Sequence, residues 1–399
     1  MLPRLLVSLT FAAVVASSPA AEAGFRSATV KPEDAPRRPE SDSEVVAKIR
    51  PGSLPASERE LRQIRSELAK NPTNLPMALA FARRCVQRAR DEADPRQLGA
   101  AMTALAPWWS EAEPGPDVRV LRATVRQSLH EFDPAIRDLE AAVQGNPRHT
   151  QAWLTLSTLY AIRGDFRAAR HAALQLGRLA DPFTTITLAS QIASLTGHAA
   201  QAQARLTELL KSQSNGTPPQ LQLWAETLAA EISDRRGDSN SAELHFRRAL
   251  ALGPRDPYLL ASYSDFLLDQ GRRREVIERL QGWEHADALL LRRVEASDDA
   301  SLARKLGARL DAAWDRGERL HLREAARLEL RIRHNPARAL ALAVENWAIQ
   351  KEPADARILF EAATETGNTE FLETVRIWMD TTGLEDVHIP SHSPGKPRE

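Results

Sequence analysis

Apolar side chains recur at helical spacing through most of this chain, most clearly between Thr150 and Pro182. There Trp153, Leu156 and Tyr160 fall at i, i+3 and i+7, Gly164-Asp165 interrupts the pattern, and Phe166, Ala169 and Ala173 open a second apolar face. A glycine at the end of the first helix supplies the positive φ that stops it, and the aspartate after it can cap the next helix. Gly237-Asp238 repeats the device. The spacing recurs as well: Ala135 precedes Ala169 by 34 positions, and Ala242 precedes Val276 by 34. The clearest second helix reads Ala242-x3-Phe246-x2-Ala249 and ends at Pro254.

Gly197 and Ala202 mark a further unit one residue out of register, and the polar insertion Ser212 to Pro219 stretches the next interval to 40. Asn335-Pro336-Ala337-Arg338-Ala339 repeats the turn followed by small residues, Gly367-Asn368 opens a last pair, and Asp91 to Trp109 is a weaker N-terminal copy. A helix pair of about 34 residues cannot bury its apolar stripe alone, so each unit needs a neighbour. Small residues at Ala135, Ala169, Ala202, Ala242 and Ala339 let the two helices of a unit approach closely. From Leu302 through Leu306 and Leu310 to Trp314 the spacing predicts one long helix, in a stretch (291–319) without the small-residue turn signal, where the stack is expected to pause or change direction.

These residues resemble the tetratricopeptide pattern W-x2-L-G-x2-Y…A-x3-F…P, with Ser157 in place of the usual small glycine and Ala173 in place of the usual aromatic. The resemblance implies an all-α, right-handed superhelix of antiparallel helix pairs, its concave face lined by the first helices. It also implies which side chains meet a ligand: Leu154, Thr158 and Ile162, then Thr187 and Gln191, then Trp224, Thr227, Glu231 and Asp234, then Tyr258, Ala261 and Asp265. Trp224 and Tyr258 with Glu231, Asp234 and Asp265 are expected either to form a pocket for a basic or extended peptide or to be a core aromatic beside solvated acids. The lysine and asparagine with which one subclass clamps a C-terminal carboxylate are replaced here by Gln, Thr, Glu and Asp. Trp108-Trp109 either plugs a gap between units or presents a contact patch.

The flanks read differently. Arg4, the apolar run Leu5 to Val15 and Ala21-Glu22-Ala23 compose a secretory signal over 1–23, cut after Ala23, which places the chain in the periplasm or outside the cell. Residues 24–55 carry five prolines among charges and read as a disordered linker. The helical region divides into arrays over 56–290 and 291–382, and 383–399 reads as a loose tail. No stretch approaches the length of a membrane span.

Composition narrows the function. Lys plus Arg and Asp plus Glu both number 53, so no net field draws the chain to nucleic acid or an anionic membrane. Aromatics at 5% and 18 glycines speak against a β-sandwich or barrel. The one cysteine, Cys85, sits in an apolar stretch, as a buried inert thiol does. Catalytic and phosphate-binding signatures are missing, His388 and His392 are separated by Pro390, and no cofactor or metal is expected. The expectation is a non-catalytic scaffold or assembly adaptor holding a peptide or protein segment. The alternative is an accessory subunit of an envelope enzyme or cofactor-maturation system that presents an apoprotein. Third is an enzyme whose residues converge in the groove, marked by paired, perturbed carboxylates.

Overall fold

The computed structural model describes residue 41 and residues 56–213 and 216–390. The expected signal peptide, most of the expected linker and residues 391–399 lie outside the described residues. Among the described residues the chain forms helices and no strand. The N-terminal helices are α1 (Ala56–Lys70), α2 (Leu75–Asp91), α3 (Arg96–Ala104) and the short α4 (Ala106–Trp109). Four hairpins follow: α5 (Pro116–Ser128) with α6 (Phe132–Gly145), α7 (Thr150–Ile162) with α8 (Phe166–Leu176), α9 (Pro182–Ser194) with α10 (Ala199–Gln213), and α11 (Pro219–Arg235) with α12 (Ser239–Leu252). Next come α13 (Pro257–Asp269), α14 (Arg273–Arg279), α15 (Asp287–Ser297) and α16 (Ala300–Asp315). Two more hairpins close the array: α17 (Leu322–Arg331) with α18 (Pro336–Ile349), and α19 (Pro353–Glu365) with α20 (Thr369–Thr382).

The local chemistry is the one the repeats dictate. Gly164 and Gly237 take φ of 79° and 78°, and the aspartates after them accept the amides of Ala168 at 2.9 Å and Ser241 at 3.0 Å. Asp181, Asp256, Asn335 and Asn368 cap α9, α13, α18 and α20 in the same way. The five small residues singled out, from Ala135 to Ala339, are all fully buried where their helices cross. Between them runs continuous apolar packing: around Trp224 and Leu206, around Phe246, Tyr263 and Phe266, and around Trp347, Leu359 and Val375. Cys85 is buried, and burial pushes its thiol up to about 11. Trp108 and Trp109 are half-buried against the N-terminal core, and the Arg126 guanidinium lies 5.7 Å from the Trp109 ring.

Residues 291–319 hold parts of two helices. Asp298 enters the left-handed region at φ 52°, ending α15, and Asp299 caps α16, which carries Leu302, Leu306, Leu310 and Trp314. α15 crosses position 290 while packing on α13 and α14, so the stack does not open there.

The helix pattern does not announce what the far end of the chain does. The Lys351 amide donates to the carbonyl of Ile162, at the end of α7, at 2.8 Å, and Arg163 donates to the carbonyls of Ala348 and Ile349. Gly383 lies against Gly197, just beyond α9. The Val387 amide donates to the carbonyl of Arg235, at the end of α11, at 2.9 Å. Three successive first helices thus receive the C-terminal hairpins at their carboxyl ends, and Trp378 joins the core around α9 to the C-terminal core. Residues 383–390, within the stretch expected as a loose tail, are packed: Leu384, Asp386 and Ile389 are buried.

Gly383 is required twice over. Its φ is 76°, and a Cβ there would stand 2.9 Å from the Gly197 Cα and 3.1 Å from its nitrogen, backbone atoms with little room to move. We expect Gly383→Ala to cost about 2 kcal/mol or more, from the left-handed backbone plus the clash. Gly367, at φ 67° with open space around it, carries the backbone cost alone. Urea denaturation of both alanine variants separates the two terms, and equal losses would show that the Gly197 contact is not made.

Candidate functional site

The residues expected on the concave face divide into two sets. Leu154, Thr158 and Ile162 on α7, Thr187 on α9, and Trp224 and Thr227 on α11 are buried. The Thr187 and Thr227 hydroxyls donate to carbonyls one turn back, at 2.8 Å each, and Trp224 packs within the core that contains Leu221 and Leu228. Gln191 is half-buried. Crossing helices and the returning C-terminal hairpins cover this part of the face.

Glu231, Asp234, Tyr258, Ala261 and Asp265 converge instead on one cavity of about 170 Å³ between α11 and α13 on one side and α15, α17 and α19 on the other. Tyr258 Oη donates to Glu231 Oε1 at 2.7 Å, and Ser262 Oγ donates to the same oxygen at 2.5 Å. Asp265 pairs with Arg292 at 2.5 Å and with Arg327 at 2.7 Å, and Arg327 also holds Glu295 at 2.5 Å. The acids are therefore partnered within the chain: hydroxyls of α13 satisfy Glu231, and arginines from the C-terminal half of the chain satisfy Asp265.

The electrostatics follow from that enclosure. Burial opposes the charge of Asp265, but Arg292 and Arg327 outweigh it and hold the carboxyl below the usual carboxylate range. Burial pushes Glu231 up, against the hydrogen bonds from Ser262 and Tyr258. It also pushes Glu352 up to about 7, assisted by Asp355 and Glu231 and opposed by Arg323. Two neighbouring carboxyls with raised affinity for protons can store a proton, yet a cavity this small leaves room for a few waters rather than a substrate.

The arginines were not anticipated, although the period contains them. Arg323 and Arg357 stand 34 positions apart, as do Glu352 and Asp386. In the structure Arg323 holds Glu352 at 2.7 Å and Arg357 holds Asp386 at 2.9 Å, each across a sequence separation of 29. Asp386 thus takes the place in the register that Glu352 takes at the start of α19, and residues 384–390 sit where a further unit would begin.

At the outer end of the cavity His388 lies between two helix ends. Its Nε2 is 3.3 Å from Asp234 and its Nδ1 is 3.6 Å from Asp269; Arg357 is 3.6 Å from Asp234 and 3.7 Å from Asp269. Hydrogen bonding to Asp234 raises the His388 imidazole above its ordinary range, against the effect of burial. Asp234, Asp269 and His388 offer ligand atoms all within 4.8 Å of one another, a spacing suited to a metal ion. The Arg357 guanidinium already places positive charge beside both carboxylates.

His388 also borders a second, more open depression of about 560 Å³, which runs along the exposed continuation of the concave face between α17 and α19. Leu330, Pro336, Phe360 and Pro390 are its apolar lining, and Arg331, His334, Glu361 and Glu365 its charged or titratable lining. Leu330 and Thr364, and likewise Arg331 and Glu365, are one 34-residue period apart, so the depression is built from equivalent positions of consecutive units.

No family model matches the chain, and no curated protein matches it by sequence. Solved structures do. One is a tetratricopeptide repeat protein from Parabacteroides merdae, at 11% identity and a TM-score of 0.33, covering 71% of this chain and 97% of that one. The chain is similar to tetratricopeptide repeat proteins. It is also similar to yeast Tom70, at 11% identity and a TM-score of 0.36, covering 83% of this chain and 82% of that one. A third similarity is to the APC/C hetero-tetramer Cut9–Hcn1, at 15% identity and a TM-score of 0.39 over 76% of this chain; it spans 52% of that chain, about half its length. The helix pairs of this chain stack side by side into an all-α solenoid. Among the described residues no helix is long and apolar enough to cross a membrane.

Proposed function

We propose that this chain is an exported, non-catalytic interaction scaffold that holds a protein or peptide segment on the open part of its concave face, between α17 and α19. The observation that carries the reading is the depression there, with apolar and charged lining residues supplied by consecutive units. The inner stretch of the face is engaged by the chain's own side chains, Tyr258 and Ser262 at Glu231 and Arg292 and Arg327 at Asp265, which leaves the outer stretch for a partner. Export rests on the signal-like residues 1–23. The apoprotein-presenting accessory subunit expected as an alternative would use the same surface and is a narrower form of this proposal.

A photoreactive side chain placed at Thr364, in the depression, is expected to capture a partner in cells, whereas one at Leu174, exposed on α8, is not. Capture at Leu174 alone, or equal capture at both sites, would remove the basis for placing the partner in the depression.

A further inference from the structure

Residues 384–390 form no helix, yet their backbone is held from several sides. The Val387 amide donates to the Arg235 carbonyl at 2.9 Å, the His388 amide to Asp386 Oδ1 at 3.1 Å and the Ile389 amide to the Asp386 carbonyl at 3.2 Å, with Leu384 and Ile389 buried on either side. Arg357 in turn holds Asp386 Oδ2 at 2.9 Å. These contacts bring the His388 imidazole to the last turns of α11 and α13, where Asp234 and Asp269 stand. Both helices end there with their partial negative charge, which favours a cation.

Arg357 does not fill this place. Its Nη atoms stay 3.6 Å from Asp234 and 3.7 Å from Asp269, outside hydrogen-bond reach, while its Nε bonds Asp386. Bonds of about 2.0 to 2.2 Å to nitrogen and oxygen put the ligand atoms of one tetrahedral ion about 3.3 Å apart. His388 Nε2 and Asp234 Oδ1 are separated by 3.3 Å, and an oxygen of Asp269, an exposed residue, lies within 4.8 Å of the other ligand atoms. The Asp269 side chain, 32% exposed, opens the entry path from solvent.

We propose that Asp234, Asp269 and His388 bind one divalent first-row transition metal ion, of the class of zinc, and that this ion staples the C-terminal segment to the ends of α11 and α13. The inference goes beyond the scaffold reading and does not depend on it. In the sequence His388 stands near His392 with Pro390 between them; the fold sets it between two aspartates instead. One imidazole nitrogen with two carboxylate oxygens suits zinc better than calcium or magnesium, which take six or more oxygen ligands, and water completes the shell. Asp386 and Arg357 are the outer layer that orients the histidine: one accepts its backbone amide, and the other holds that acceptor in place.

The test is calorimetric titration of the full chain, stripped with EDTA and dialysed, with zinc chloride, and with calcium and magnesium chlorides beside it. One zinc ion is expected to bind per chain. His388→Gln and Asp269→Asn should each weaken binding at least about tenfold, while His171→Gln, exposed on α8, leaves it unchanged. Asp269→Asn is close in shape and sits at an exposed side chain, so it keeps the fold even where His388→Gln loosens the segment; unchanged circular dichroism checks this. The staple has its own readout: zinc should slow exchange of the Val387 amide at least about tenfold in the wild type and not in Asp269→Asn. No zinc binding, binding that survives both substitutions or is lost in His171→Gln, equal binding of calcium, or bound zinc that leaves the Val387 amide unchanged would overturn the proposal.

Discussion

Replacing Arg327 by alanine is expected to destabilise the chain by about 3 kcal/mol, because it takes the shared cation from the enclosed Glu295 and from Asp265. Arg327 reaches from α17 to Asp265 on α13 at 2.7 Å and to Glu295 on α15 at 2.5 Å, and the Arg327 and Glu295 side chains are 13% and 7% exposed. Glu295 cannot turn to water, and Asp265, 29% exposed, keeps only Arg292. Because Asp265 is held below the ordinary carboxylate range, its contribution is complete above about pH 4 and is lost only as the pH falls through that lowered value. Urea denaturation near neutral pH should show the full loss in Arg327→Ala. A loss no larger than that of an exposed pair such as Arg274–Glu278, worth under about 1 kcal/mol, would mean the network is not formed.

The second large effect concerns Trp224. As a ligand-contacting aromatic it would tolerate truncation; as the structure places it, buried among Leu221, Leu228 and Leu206, Trp224→Ala opens a cavity and should cost about 3 to 5 kcal/mol. Tyr258→Phe, by contrast, removes one hydrogen bond to Glu231 and should cost about 1 kcal/mol. Thermal unfolding of the two variants distinguishes them. If Trp224→Ala unfolds with the wild-type midpoint, the tryptophan is not part of the core. A loss of partner capture in that variant would accordingly report instability rather than a missing contact.

The repeating features of this molecule were legible because each is a local rule written several times. Gly164-Asp165 and Gly237-Asp238 stop one helix and cap the next, and Ala135, Ala169 and Ala242 mark the crossings, as their spacing indicates. The groove was legible only in part. Glu231, Asp234, Tyr258 and Asp265 do share a wall of one cavity, but Leu154, Thr158, Thr187, Trp224 and Thr227 are covered, because helical period reports which way a side chain points and not what later packs over it.

What covers the face comes from far along the chain. The contacts of Ile162 with Lys351 and of Arg235 with Val387 join residues more than a hundred positions apart, and no short pattern encodes them. Arg323 and Arg357, at one period, carried a trace of the arrangement, visible once Glu352 and Asp386 are set beside them at the same period. Residues 383–390 read as part of a loose tail because Pro390, Pro394 and Pro397 with Gly395 crowd the end of the sequence, yet Leu384 and Ile389 are anchored in the C-terminal core.

The C-terminal hairpins close over the ends of α7, α9 and α11. Hydrogen exchange resolved to single amides tests it most directly, since the Lys351 and Val387 amides donate to no neighbour in sequence and owe their protection to the distant carbonyls of Ile162 and Arg235. Both amides are expected to exchange at least about a hundredfold more slowly than in an unstructured peptide. Exchange of both at the unstructured rate, with the helices around them still protected, would contradict the closed arrangement.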